Sequence, residues 1–149
     1  MSKKLPTDGS VKEIFRFEKK TALERPLLGS KIPAGFPSPA QDYIYSTLDL
    51  NQFLIAHPAA TFFVRVEGYS MINAGIHPDD ILIVDRSIEA VHNKIVIAVY
   101  DGELTVKRLR IIDKIYWLVP ENDEFEPIHI SEEDNFSVWG VVTYVIHKV

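Results

Sequence analysis

The chain has 149 residues, 46% hydrophobic and 25% charged, which suits one folded domain with a core plus a short extension. It has no cysteine, which excludes disulfides, thiolate metal sites and a cysteine nucleophile, and fits a reducing cytoplasm. No apolar run can span a bilayer, MSKKLPTDGS leads into no secretory signal, and a net charge of −5 argues against broad nucleic-acid binding by the chain itself, with no direct specific DNA binding expected.

That charge is unevenly placed, with +4 on residues 1–34 and −9 on 35–149. A basic arm beside an acidic body can be held near it by weak, salt-dependent attraction, or its lysines can simply solubilise a tail. Residues 1–10 read as disordered, and residues 11–28 hold too little apolar content for a domain. Residues 29–39, GSKIPAGFPSP, hold two glycines and three prolines and read as an exposed, extended linker.

Past the linker, Asp49 is a helix N-cap with Gln52 three residues on. Leu50, Phe53, Leu54 and Ile55 supply an apolar face, and Pro58 is expected to stop the helix. The alternation in residues 61–67 then predicts a strand with Phe62, Val64 and Val66 on one face and Phe63, Arg65 and Glu67 on the other. Further strands are predicted at 80–85, 94–100, 103–112, 115–119 and 136–147, with turn signals such as Asp101-Gly102 between them. The last is apolar on both faces, as expected of a central strand or a subunit interface. The prediction is a mainly β, partly barrel-like body with one short helix and an extended N-terminal arm.

Gly68-Tyr69-Ser70-Met71 follows directly on the first of these strands. A serine at such a junction can present its hydroxyl beside free backbone N–H groups able to hold an oxyanion, although serines in turns are commonly structural. A serine nucleophile needs a base, and no histidine has a recognisable triad context. His57, His77, His92, His129 and His147 stand far apart without metal-ligand spacing, so neither a metal nor a cofactor is expected. A neutral lysine is the other known partner. Lys107, inside Leu104-Thr105-Val106-Lys107-Arg108-Leu109, shares a face with Thr105 and Leu109 by period two. Burial there would favour the neutral amine that a base must be, whereas a snorkelling lysine would keep its head in water. In the linker, Pro33 extends Ile32, Ala34 would fit a small pocket, and Gly35 has no Cβ to obstruct attack on the bond between them.

Several runs resemble the LexA/UmuD family of self-cleaving Ser-Lys peptidases. Gly35-Phe36-Pro37-Ser38-Pro39-Ala40, Asp42-Tyr43 and Asp49-Leu50-Asn51-Gln52 with Leu54-Ile55 resemble the start of the processed form in its UmuD branch. Gly68-Tyr69-Ser70-Met71 resembles the G-D-S-M nucleophile motif. Asp80-Ile81-Leu82-Ile83-Val84-Asp85 resembles the G-D-x-x-x-V-D strand, and Thr105-Val106-Lys107-Arg108-Leu109 the T-V-K-[KR]-L segment. The resemblance covers about residues 24 to 149. It implies a fold like the LexA C-terminal domain, with Ser70 as nucleophile, Lys107 as general base, the N–H groups of Ser70 and Met71 as oxyanion hole, and Ala34-Gly35 as the bond cut. The domains would then be an arm, 1–34, and a peptidase and dimerisation body, 35–149. Tyr69 stands where the motif has an acidic residue, Asp79 and Asn93 where the family has glycine, and Ala34 precedes the cut as in LexA. None removes a reacting group.

Thirty-four residues are too few for a repressor's helix-turn-helix domain. The resemblance therefore implies an SOS mutagenesis factor. Its partners would be a second copy in a homodimer, a RecA–single-stranded-DNA filament that stimulates cleavage, and the error-prone polymerase subunit UmuC in translesion synthesis. Two alternatives remain at this stage. One is a catalytically silent dimeric adaptor. The other is a signal-peptidase-like protease acting on other proteins, a class whose membrane anchor this sequence lacks.

Overall fold

The structure, a computed structural model, describes residues 7–20, 22–28, 34–35 and 45–149. These fall into two units: residues up to Phe17 together with His57–Val149, and Glu18–Ala56. The chain is mainly β, with the sheet curled into a half barrel and one short helix. No helix of the described residues is long and apolar enough to cross a membrane.

In the first unit the strands are β1 (Val11–Arg16), β4 (Thr61–Val66), β5 (Ile81–Asp85), β6 (Ile95–Tyr100), β7 (Glu103–Ile112), β8 (Ile115–Val119), β9 (Ile128–Ile130) and β10 (Phe136–Ile146). They form one antiparallel sheet in the order β1-β4-β5-β10-β6-β7-β8-β9. The two-faced apolar run of β10 has its cause in this order, because β5 and β6 flank it. Gly140 lies at a register shift in β10, where a Cβ would stand 2.5 Å from Val84 Cγ1.

Alternation along β6 and β7 sends side chains to two clusters. Val64, Val66, Leu82, Val84, Ile97 and Val106 pack in one, and Val96, Ala98, Leu109, Leu118 and Val141 in the other. Burying an aliphatic side chain of this kind contributes roughly 1.5–3 kcal/mol, so these residues fix the register of the strands that carry the site.

The tail departs from the sequence expectation. Residues 7–17 are built into the body: β1 pairs with β4, Val11 is fully buried, and Thr7 bridges to Leu104. Alternation was too weak to announce β1, because only its first residue is buried. Residues 1–6 of the expected disordered tail, and the 29–39 linker apart from Ala34 and Gly35, lie outside the described residues.

The second unit contains β2 (Glu24–Leu28) paired with β3 (Tyr45–Asp49), then α1 (Leu50–Leu54). Asp49 caps α1 by accepting the Asn51 N–H at 3.0 Å. The helix ends at Leu54, and Pro58 opens a separate 3-10 turn, Pro58–Ala60, instead of stopping it. Leu50 and Phe53 are exposed, so the expected apolar face is not a buried one.

Candidate active site

β4 ends at Val66, and Gly68, at φ 79°, turns the chain so that Tyr69 and Ser70 follow. Only glycine takes that left-handed conformation without strain. Met71 anchors the turn in the core, and the 3-10 turn Ile72–Ala74 follows it. The segment after β8 clamps the turn from outside. Glu121 N–H donates to the Ser70 carbonyl at 2.8 Å, Asn73 N–H to the Glu121 carbonyl at 2.8 Å, and Asn122 Nδ2 to the Tyr69 carbonyl at 2.9 Å. Arg108, on β7, holds Glu121 in turn by an ion pair.

Ser70 is 8% exposed, yet its hydroxyl has no hydrogen-bond partner among the described residues and retains access to solvent. The N–H groups of Ser70 and Met71 likewise meet no acceptor among the described residues. Free donors flanking an unpaired hydroxyl are what an oxyanion site requires.

Ser70 and Lys107 line one cleft of about 240 Å³. Lys107 comes from β7, where the period-two reading holds: Thr105 and Lys107 stand opposite Ala98 and Val96, which pack with Leu109, whereas Leu104 and Val106 pack in the other cluster, and Lys107 Nζ donates to Thr105 Oγ1 at 2.7 Å. The snorkelling alternative fails, since Lys107 is 4% exposed. Its head is nevertheless not a lone amine in an apolar pocket. Nζ also donates to the Val106 carbonyl at 3.1 Å and to Asp8 Oδ2 at 3.1 Å, which uses all three protons of an ammonium. Among the described residues no hydrogen bond joins it to Ser70 Oγ.

Asp8 is the residue for which the sequence offers no signal, being one of four acidic residues in a basic arm. It reaches the cleft because the tail docks along β7. Thr7 Oγ1 and Asp8 N–H both donate to the Leu104 carbonyl, at 3.0 and 3.1 Å, Val106 N–H donates to Ser10 Oγ at 2.9 Å, and Glu67 N–H to the Ser10 carbonyl at 2.9 Å. Asp8 Oδ1 accepts from the Ser10 hydroxyl at 2.6 Å, and Oδ2 accepts from Thr105 at 2.6 Å as well as from Lys107. Burial pushes the Asp8 carboxyl up, but the Lys107 ammonium and the Ser10 and Thr105 hydrogen bonds outweigh it and hold the group below its ordinary value of 3.8.

Ala34 and Gly35 are both exposed, and nothing among the described residues lies within 4 Å of where a Gly35 Cβ would stand. They belong to the other unit. The two positions at which the resemblance leads one to expect glycine have a common structural feature: Asp79 has φ 69° and Asn93 φ 74°. Asp and Asn are the side chains that best tolerate this backbone, so the turns survive the substitution. Among the described residues, His77, Asp80 and His147 stand together outside the cleft as a group able to hold a metal.

Comparison with known proteins places the chain. The family described as Peptidase S24-like matches residues 26–143. Protein ImpA of Salmonella typhimurium is 46% identical over 130 residues, covering 83% of this chain and 84% of its own. Protein SamA of Salmonella typhimurium strain LT2 is 46% identical over 123 residues, covering 83% and 85%. The LexA repressor of Aeromonas salmonicida is 42% identical over 106 residues, covering 71% of this chain and 50% of its own.

Proposed function

Because this chain belongs to the S24-like peptidases of the LexA/UmuD family, we propose that it is a serine peptidase that cuts its own Ala34-Gly35 bond with Ser70 as nucleophile and Lys107 as general base. The observation that carries the reading is that Ser70, in the turn after β4, and Lys107, on β7, line one cleft. A neutral Lys107 takes the Ser70 proton, and Oγ attacks the Ala34 carbonyl. The N–H groups of Ser70 and Met71 hold the oxyanion, and the C–N bond breaks as Lys107 returns the proton to the Gly35 nitrogen. Water, deprotonated by the same lysine, then releases Ala34 from the serine ester. The substrate is tethered, so its effective concentration is high and the site need not bind it tightly.

The Asp8 ion pair gives this reaction a resting state. While Asp8 accepts from Lys107, the lysine is an ammonium and cannot act as base. Cleavage requires residues 7–10 to leave the lysine and the Ala34 carbonyl to reach Ser70, from the same chain or from a second copy. A RecA–single-stranded-DNA filament that favours this rearrangement would stimulate the reaction by shifting a population, with no need to supply a chemical group.

The shortened chain would serve as a dimeric accessory subunit of an error-prone polymerase with UmuC in SOS mutagenesis. Tyr144, Val145 and Ile146 at the end of β10 are exposed and apolar, and support a homodimer through this strand. Sedimentation of the purified chain at micromolar concentration should give a dimer, and a monomer would contradict that assignment.

The test of the function is intact-mass analysis after incubation with activated RecA filament. Fragment 35–149 should accumulate. A chain that stays whole with filament and at alkaline pH would instead be the silent adaptor.

A further inference from the structure

Away from the cleft, the sheet register assembles a cluster that sequence spacing conceals. β5 and β10 are antiparallel with Ile81 opposite Ile146, so the next residues outward, Asp80 and His147, also face each other. His77 joins them through a tight turn. Asp80 N–H donates to the His77 carbonyl at 3.2 Å, with Pro78 and the positive-φ Asp79 at its corner, a combination that suits a type II turn. His77 N–H in return donates to Asp80 Oδ2 at 2.8 Å.

The three side chains bring one ligand atom each to within 4.8 Å of one another. The Asp80 side chain is 3% exposed, with Oδ1 2.6 Å from His147 Nδ1 and Oδ2 3.7 Å from His77 Nδ1. The two imidazole rings lie 4.5 Å apart, centroid to centroid, tilted by 32°. His77 Nδ1 is buried and has no hydrogen-bond partner among the described residues. A buried ring nitrogen without a partner carries an uncompensated desolvation cost, which a ligand to that nitrogen would remove.

We propose that His77, Asp80 and His147 form a binding site for a divalent transition-metal ion of the zinc type, with a fourth position open to water. Two imidazoles and a carboxylate are a donor set for zinc, cobalt, nickel or copper, whereas magnesium and calcium require mostly oxygen ligands. Zinc lies about 2.0–2.2 Å from such ligands, which sets neighbouring tetrahedral donors roughly 3.3 Å apart. The 3.7 Å separation is near this value. The 2.6 Å contact has to open, which ring rotation allows, since the side chains of His77 and His147 are 43% and 44% exposed. The metal would clasp the end of β10 to the loop that follows the Ser70 turn. This site stands independently of the peptidase reading.

The test uses the full-length chain, stripped of metal, titrated calorimetrically with zinc chloride and followed by thermal unfolding. One zinc per chain and a raised Tm are expected. Substituting cobalt should give the visible absorption of a tetrahedral ion, and magnesium should not bind. His77→Gln and His147→Gln should each weaken zinc binding by at least ~10-fold, while His129→Gln should leave it unchanged. Both rings are partly exposed, and far-UV circular dichroism checks that the variants fold. Absence of stoichiometric zinc binding by the wild type, or equal binding by the folded double variant, overturns the proposal.

Discussion

Replacing Asp8 by Asn should speed unassisted self-cleavage. The carboxylate serves two sets of donors at once: Ser10 N–H and hydroxyl at Oδ1, Thr105 and Lys107 at Oδ2. An amide can present its oxygen to only one set, so its NH₂ must face a donor on the other side. β1 stays attached, because Val11 is buried and the strand remains paired to β4. What is lost is the charge-assisted bond that stabilises the ammonium of Lys107. Such a bond contributes about 1.5–3 kcal/mol, and about 1.4 kcal/mol is a factor of ten, so the competent population should rise roughly 10- to 100-fold. The Asp8 side chain is 32% exposed, and solvent screening favours the lower figure. The assay is the initial rate of appearance of fragment 35–149 by intact mass, without filament, over a range of pH. A folded Asp8→Asn chain that cleaves at the wild-type rate or slower would refute the view that this carboxylate holds the site at rest.

Gly140→Ala should destabilise the fold by about 1–3 kcal/mol in urea unfolding, because the new methyl would stand 2.5 Å from Val84 Cγ1, inside the core; unchanged stability would mean that β10 shifts freely. Stability should also fall in acid. Asp8 is held below 3.8 as described, and in Asp85 burial is outweighed by hydrogen bonds from Ser87 and His57, which lower it likewise. Between the folded value and 3.8 the folded state binds fewer protons than the unfolded one. The stabilisation is therefore complete above 3.8 and is lost as pH falls through the folded values. Asp85→Asn should flatten that acid limb in unfolding curves taken at successive pH values, and an unchanged limb would count against the Asp85 contribution.

Period-two alternation made β4 legible in the sequence, and apolar runs between turn signals did so for β5 to β8 and β10, each of which has neighbours on both sides. It failed for β1, β2, β3 and β9. β1 is an edge of the large sheet and β2 contains Pro26, so their described side chains are mostly exposed and carry little pattern, and β9, the other edge, is only three residues long. In the cleft, motif resemblance singled out Ser70 and Lys107, while composition and spacing alone left both ambiguous. Asp8 was illegible because nothing local marks a residue whose partners, Thr105 and Lys107, lie across the fold. His77 and His147 were set aside on spacing, yet the β5–β10 register brings them together. A pairing of that kind becomes visible only once the sheet order is known.

The central claim is that Lys107 is the base that activates Ser70 against Ala34-Gly35. Lys107→Arg keeps the positive charge, and with it the attraction to Asp8, but a guanidinium stays protonated across the accessible range and cannot accept the serine proton. The direct measurement is a pH–rate profile of self-cleavage for wild type beside Lys107→Arg, with product identity fixed by mass. The wild type should yield fragment 35–149, and the arginine variant should yield none at any pH. Cleavage of the variant at a comparable rate, or a product that begins anywhere but Gly35, would contradict the account.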